Sequence, residues 1–466
     1  MARTNRTQPP GYGDVWRLGF ASALAAYGVI TALLSGRLSL WVDEILQLIG
    51  TRDSHDLQSL LRWVEINPGG VPLGYFTQHF AIWLFGFSAY SARIPSVICS
   101  VLACAAVAWL ARRMGLGRSS ACISFLIFAT LPLQFRYALE GRPYSEALLF
   151  WVLSQIGFQG LCRRPGRLRA RLYGLALLLG MYTQPFTAFI WLSHMAWATL
   201  FLKGPERGGV VRWCSLAGIL AGFAFLPWFL LVRQQWHTYI GSSGYSFAPG
   251  FSIVSIIFRE IPGNYVITVL LGLAVASGFA AQSPLTNGTK ALLAANIIAP
   301  VVCALCADAA FNYFFAARQL VYVLPSIAVL AAAGAQNLAR TRRRAGVALV
   351  SVLLLSTLGQ DVRMFQKPRE DWAKAAAATN AMLRETNACV ITVPSEWAAL
   401  YIFFEPKLAQ RQCVGDQRAS GRLLLAITPY TPAAAAANLR ATLTRDGYAA
   451  GPQQTVGGSR LEPFSR

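Results

Sequence analysis

The chain has 466 residues, 55% of them hydrophobic and only 13% charged, with a mean hydropathy of +0.45. A soluble domain is about 25% charged, so the composition excludes an ordinary soluble enzyme and a disordered protein and points to a membrane protein. Lysine and arginine number 41 against 20 acidic residues, a formal charge of +21, and where those charges fall decides between a nucleic-acid surface and membrane loops.

A bilayer-crossing helix needs roughly 20 mostly apolar residues, because hydrocarbon tolerates no unsatisfied backbone. The first such run, 16–36, follows a polar arm with Pro9 and Pro10 and shows no small-residue cleavage site, so it reads as a retained span rather than a signal peptide. Residues 37–88 are too polar, and too broken at Asn67-Pro68-Gly69-Gly70, to cross in one piece. Two stretches within them, 43–65 and 72–87, read as interfacial helices, the second anchored by Tyr75, Phe76, Trp83 and Phe85. Apolar runs follow at 91–110, 119–137, 144–161, 172–182, 186–202, 213–231, 263–281, 291–307, 319–338 and 345–358, which makes about eleven transmembrane helices.

Basic clusters alternate with loops poor in positive charge. Arg3, Arg6 and Arg17; Arg112, Arg113 and Arg118; five arginines within 162–171; Lys203, Arg207 and Arg212; and Arg340, Arg342, Arg343 and Arg344 mark the cytoplasmic side. Membrane-length apolar runs separate them, so they form no contiguous basic face and nucleic acid is excluded as a partner. An odd number of spans with a cytoplasmic N-terminus puts the C-terminal part outside. That part has helical patterns at 368–384, 395–404 and 432–443 and strand patterns at 389–393 and 423–427. The predicted fold is mostly α: a polytopic membrane helical bundle over 1–362, with interfacial helices in the 37–88 loop, and a small external α/β domain over 363–466.

In this topology the charged and polar residues at span ends that are not cytoplasmic anchors gather on one side. They are Asp43, Glu44, Arg93, Arg136, Glu140, Arg142, Gln184, His237, Asp308 and Arg318. Ionisable groups at such depths are costly and are functional candidates, although arginines beside Tyr and Trp also anchor to headgroups, and Asp43 could simply cap the helix it precedes. A carboxylate pair and several arginines facing one external cavity would suit a substrate with a negative group and a hydroxyl to be activated.

Six of the nine cysteines lie in predicted spans, where Cys is a small buried hydrophobe, and the Cys303-x-x-Cys306 pair has no histidine nearby. Cys389 and Cys413 alone fall in the external domain, which opens the way to a disulfide in an oxidising compartment. His55, His79, His194 and His237 are scattered and have no metal-ligand spacing.

Trp41-Val42-Asp43-Glu44 after the first span, Arg93-Ile94-Pro95-Ser96, Glu140-Gly141-Arg142-Pro143-Tyr144, Arg318 with Tyr322-Val323-Leu324-Pro325, and Glu370-Asp371-Trp372 after the last span resemble, in this order, the integral-membrane glycosyltransferases of the GT-C superfamily. The resemblance is to the branch of protein O-mannosyltransferases and aminoarabinose transferases that includes the bacterial RgtA/B/C/D-type enzymes. It implies an inverting transfer of a sugar from a polyprenyl-phosphate donor to an envelope acceptor, on the external face of the cytoplasmic (inner) membrane. It also implies Asp43 as the catalytic carboxylate and Arg142 as a donor-phosphate ligand; Glu44, on a different side of the helix, is assigned positioning, and Arg318 is the candidate to join Arg142 in neutralising the departing phosphate. Glu140, Tyr144, Gln184 and Arg93 are the remaining substrate-binding candidates. Two departures affect what is carried over: Asn67-Pro68-Gly69-Gly70-Val71-Pro72 stands where members often carry His-Pro-Pro, and Gln184 where they often show a histidine. Carboxylates such as Asp43 and Glu44 are hard ligands able to hold a divalent cation, but polyprenyl-monophosphate users in this superfamily generally work without one, so no cofactor is expected. The competing classes are a transporter or flippase of a lipid-linked anion, which would place its charges near the midplane within paired repeats, and a non-catalytic subunit of a polysaccharide assembly.

Overall fold

The computed structural model describes residues 12–67, 70–242, 255–311, 316–367, 369–413 and 421–466. In chain order the helices are α1 (Tyr12–Ser35), α2 (Val42–Asp53), α3 (Leu57–Ile66), α4 (Pro72–Phe85), α5 (Ala89–Arg113), α6 (Arg118–Thr130), α7 (Pro132–Ala138), α8 (Tyr144–Arg163), α9 (Arg167–Thr183), α10 (Phe189–Leu200), α11 (Glu206–Ser242), α12 (Tyr265–Phe279), α13 (Asn287–Phe311), α14 (Leu324–Thr341) and α15 (Arg343–Gln366). A mixed region follows: α16 (Trp372–Thr386), β1 (Cys389–Val393), α17 (Ala398–Phe404), β2 (Arg422–Ile427), α18 (Ala433–Arg445), β3 (Ala449–Ala450), β4 (Gln454–Val456) and β5 (Ser459–Ser465). By internal packing the chain divides into a larger unit, Met1–Gly36 with Ser54–Arg363, and a smaller one, Arg37–Asp53 with Met364–Arg466.

The predicted apolar runs of the larger unit fall on helical segments, that at 119–137 on two of them. Among the described residues six helices are long and apolar enough to cross a membrane, or seven if α6 and α7 count as one bent span. The expected runs at 144–161, 172–182, 186–202 and 263–281 differ for definable reasons. Helix α8 carries Glu146, Gln155 and Gln159 among its apolar residues, while α9, α10 and α12 have only 17, 12 and 15 residues. The run at 119–137 is broken by Pro132, which lacks an amide donor and biases Leu131 to extended backbone, and the two helices meet at 68°.

Helix α14 is buried almost all round, from Ala328 through Ala333, which marks it as the centre of the bundle. It crosses α12 closely. A Cβ on Gly334 would lie 1.8 Å from the Ala274 carbonyl oxygen, and one on Gly278 would lie 2.4 Å from that of Leu330, so only glycine permits the approach. The Ser277 hydroxyl donates to the Gly334 carbonyl across the same contact at 3.0 Å.

The stretch expected as one interfacial helix, 43–65, is two. Asp56 opens α3 with a reciprocal cap, its Oδ1 accepting the Ser59 amide at 2.6 Å, and that new N-terminus ends the continuity with α2. Helix α2 belongs to the smaller unit, where Arg52 lies 3.8 Å over the ring of Phe403 on α17 and donates to the Phe403 carbonyl at 2.9 Å.

In the smaller unit β1 pairs parallel with β2, β2 antiparallel with β5, and β3 and β4 both pair with β5. Leu423, Leu425, Ile427, Leu443 and Phe464 form its core. The expected strands and helices of this region are present, and Cys389 is disulfide-bonded to Cys413. Strands β3, β4 and β5 are additions to the expected pattern. Their signal was the Gly457-Gly458 pair, both at positive φ, which is the two-residue turn that closes a hairpin.

Candidate active site

Asp43 and Glu44 lie in the first turn of α2, where carboxylates complement the helix dipole. The first helical bond runs from the Ile45 amide to the Trp41 carbonyl at 3.0 Å, which makes Trp41 the capping position. Glu44, fully buried, accepts the Trp41 amide at 3.2 Å. Glu44 thus bonds back to the capping residue, and Asp43 sits half-buried inside the turn. The Arg369 guanidinium lies 4.3 Å over the Trp41 ring. Asp43 is close enough to act on Tyr430, whose hydroxyl is pushed well up from its ordinary value by burial, by its bond to Glu370, and by the charges of Glu370 and Asp43.

In the larger unit the turn Glu140-Gly141-Arg142-Pro143-Tyr144 joins α7 to α8 and is held from three sides. The buried Gln78 side chain on α4 donates to the carbonyls of Ala92 (3.0 Å) and Gly141 (2.9 Å). Ser96 on α5 donates to the Arg142 carbonyl at 3.1 Å, and Ser145 to the Tyr137 carbonyl at 3.0 Å. Thr77, next to Gln78, donates to Glu146 at 2.7 Å. These bonds fix the backbone that carries Arg142, which is half-buried.

Arg136 pairs with the buried Glu140 at 3.1 Å. Arg318, half-buried in the 3-10 turn Ala317–Val323, is close enough for its charge to act on Arg136 and on Tyr137. The Tyr137 and Tyr144 rings stand 4.4 Å apart, and Trp151 stacks on Tyr322 at 4.8 Å. The structure thus brings together Arg136, Glu140 and Arg318, with Tyr144 against Tyr137 beside them. A guanidinium paired with a buried carboxylate and a second guanidinium near it are groups able to bind a phosphate. Arg136 was present in the sequence only as one of several span-end charges. Its position four residues before Glu140, next to the helix break at Pro132, is the signal that singles it out.

Arg93 is placed differently. It is 1% exposed and donates to the Ser35 carbonyl, tying α5 to the end of α1. Gln184 ends α9, and its carbonyl accepts from Thr187 at 2.8 Å. Pro68, Gly69, residues 243–254 and the side chains of His237 and Asp308 lie outside the described residues. Among the described residues no group of three or more His, Cys, Asp or Glu gathers as a metal site.

No family model matches the chain. Over 179 residues it is 27% identical to the undecaprenyl phosphate-alpha-4-amino-4-deoxy-L-arabinose arabinosyl transferase of Edwardsiella ictaluri, a match covering 35% of this chain and 30% of that protein. The chain thus spans less than a third of the length of that curated relative. Its structure superposes on that of ArnT from Cupriavidus metallidurans in the apo state with a TM-score of 0.60 and 12% identity, over 96% of this chain and 98% of the other. The same Cupriavidus protein bound to undecaprenyl phosphate gives 0.58 at 12% identity with the same coverage of both chains. The chain is thus similar in sequence, over about a third of its length, to an undecaprenyl-phosphate sugar transferase, and it shares the fold of ArnT over nearly all of its length.

Proposed function

We propose that the protein is an inverting glycosyltransferase that moves a sugar from a polyprenyl-phosphate donor to an envelope acceptor, a glycolipid, polysaccharide or protein. It acts on the external face of the cytoplasmic membrane, with its N-terminus inside and the smaller unit outside, a reading supported by the alternation of basic clusters along the chain. Asp43 takes the proton from the acceptor hydroxyl, a general-base role worth typically 10²–10⁴-fold. The hydroxyl oxygen bonds to the anomeric carbon as the bond to the phosphate oxygen breaks, so the electron pair leaves with the polyprenyl phosphate and the configuration inverts. That leaving group needs no protonating acid. It gains charge as the bond breaks, and Arg142 and Arg318 neutralise it.

The observation that carries the reading is the pair of Arg136 with the buried Glu140, with the charge of Arg318 acting on Arg136, in a chain that shares its fold with ArnT solved with undecaprenyl phosphate. Purified protein in proteoliposomes, supplied with labelled undecaprenyl-phosphate sugars and envelope extract, should form labelled glycoconjugate. Asp43→Asn and Arg142→Ala proteins, inserted at normal levels, should each lose at least about a hundredfold of that transfer. Unchanged transfer by both would falsify the assignment.

A further inference from the structure

Strands β1 and β2 run parallel, and in an open α/β sheet the carboxyl ends of parallel strands are where ligands bind. The chain leaving β1 reaches Trp397, and the chain leaving β2 reaches Tyr430. The two connections are joined at their roots, the Thr428 amide donating to the Val393 carbonyl at 3.1 Å. Trp397 and Tyr430 stack with centroids 5.4 Å apart and ring planes 20° apart. Both run nearly parallel to Trp372, at 10° and 11°, with centroids 6.4 and 6.5 Å away. Trp372 is 1% exposed and Tyr430 is 42% exposed, so this array has a buried base and an open outer ring. Its three rings are not part of the hydrophobic core of the sheet.

Polar groups border it. Tyr430 donates its hydroxyl to Glu370 Oε1, which fixes the tilt of the ring, while the buried Glu370 Oε2 has no hydrogen-bond partner among the described residues. The indole N–H of Trp372, at the buried base of the array, is likewise without a partner among the described residues. Buried polar atoms are nearly always satisfied, so the open Glu370 acceptor beside the exposed Tyr430 ring suits a ligand that carries hydroxyls.

We infer that Trp397 and Tyr430 form a saccharide-binding platform that seats the sugar acceptor beside Asp43. A pyranose presents C–H bonds on one face, which lie against electron-rich rings, and hydroxyls at its rim, which both donate and accept. Arg369 lies over the ring of Trp41, two residues before Asp43, and its neighbour Glu370 accepts the Tyr430 hydroxyl, so the start of the helix bearing Asp43 and the exposed ring meet at one short segment. The role of the bound sugar as acceptor rests on the function proposed above; its binding does not.

The test is saturation-transfer NMR on the full-length protein in lipid nanodiscs, titrated with chitobiose, mannobiose and galactobiose and with no donor present. At least one disaccharide should give saturation transfer, and Tyr430→Ala should weaken it about tenfold, the size of one lost aromatic contact. Tyr430→Phe, which keeps the ring, should stay within about threefold of wild type. Trp397→Ala should match Tyr430→Ala, and because Tyr430 is the exposed ring, its removal reports on binding even where the Trp397 variant folds poorly. Absence of transfer to all three sugars, or unchanged affinity in Tyr430→Ala, overturns the platform. Binding that obeys these variants while no polyprenyl-phosphate sugar supports turnover would leave the platform standing and remove the glycosyltransferase assignment instead.

Discussion

The side-chain amide of Gln78 donates to the main-chain carbonyl of Gly141, 63 residues later, at 2.9 Å, while the same nitrogen also serves Ala92. A single buried side chain thus fixes α4, α5 and the turn preceding Arg142. Gln78→Leu leaves two buried carbonyls without this donor, at a cost of about 1–3 kcal/mol each. The expected result is a lowered thermal midpoint for the purified protein and, in the transfer assay, a raised KM for the polyprenyl-phosphate donor. A Gln78→Leu protein with wild-type melting would show that the turn is held without it.

The crossing of α12 and α14 allows no side chain at Gly334, where a Cβ would lie 1.8 Å from a backbone oxygen. Backbone cannot yield as a flexible side-chain tip does, so Gly334→Val should cost about 3 kcal/mol or more through overpacking at the bundle centre. Fluorescence-detected size exclusion should show aggregated or absent protein. Gly272→Val, on the same helix as Gly278 but facing open space, should elute normally.

Asp56 carries a pH signature. Its carboxyl is held below the ordinary value chiefly by the Ser59 amide that it accepts. A carboxyl depressed in the folded state contributes stability above its unfolded pKa and loses that contribution as pH falls through the folded value. The melting difference between wild type and Asp56→Ala should therefore be full at neutral pH and shrink below about pH 4. A difference that persists undiminished at pH 3 would mean that the cap acts through something other than the ionised carboxylate.

The larger elements were legible because their cause is local. Twenty apolar residues in a row make a span whatever surrounds them, and Asp371 or Asn264 ahead of an apolar run caps the helix that follows. The break at Pro132 was equally local, yet hydropathy averages across a proline, so the run at 119–137 looked continuous. Arg93 illustrates what could not be read. Its charge at a span end is visible in the sequence, but its bond to the Ser35 carbonyl comes only from the packing of α1 against α5. Arg136 is the converse case. Its pairing with Glu140 is an i,i+4 relation visible in the sequence, but its value depends on Arg318, brought near by the 3-10 turn before α14. Trp397 and Tyr430 gave no signal, since nothing in either local sequence says that the two rings meet.

The helix bearing Asp43 also imposes an order on synthesis. Arg52 on α2 bonds to Phe403, 351 residues later. At about 5–20 residues per second that interval is roughly 20 to 70 seconds, during which α2 has emerged while the surface it packs on has yet to be translated. A nascent chain stalled before α17 therefore carries its acidic helix without a partner, and ribosome-arrested intermediates should expose it to protease until the last hundred residues arrive.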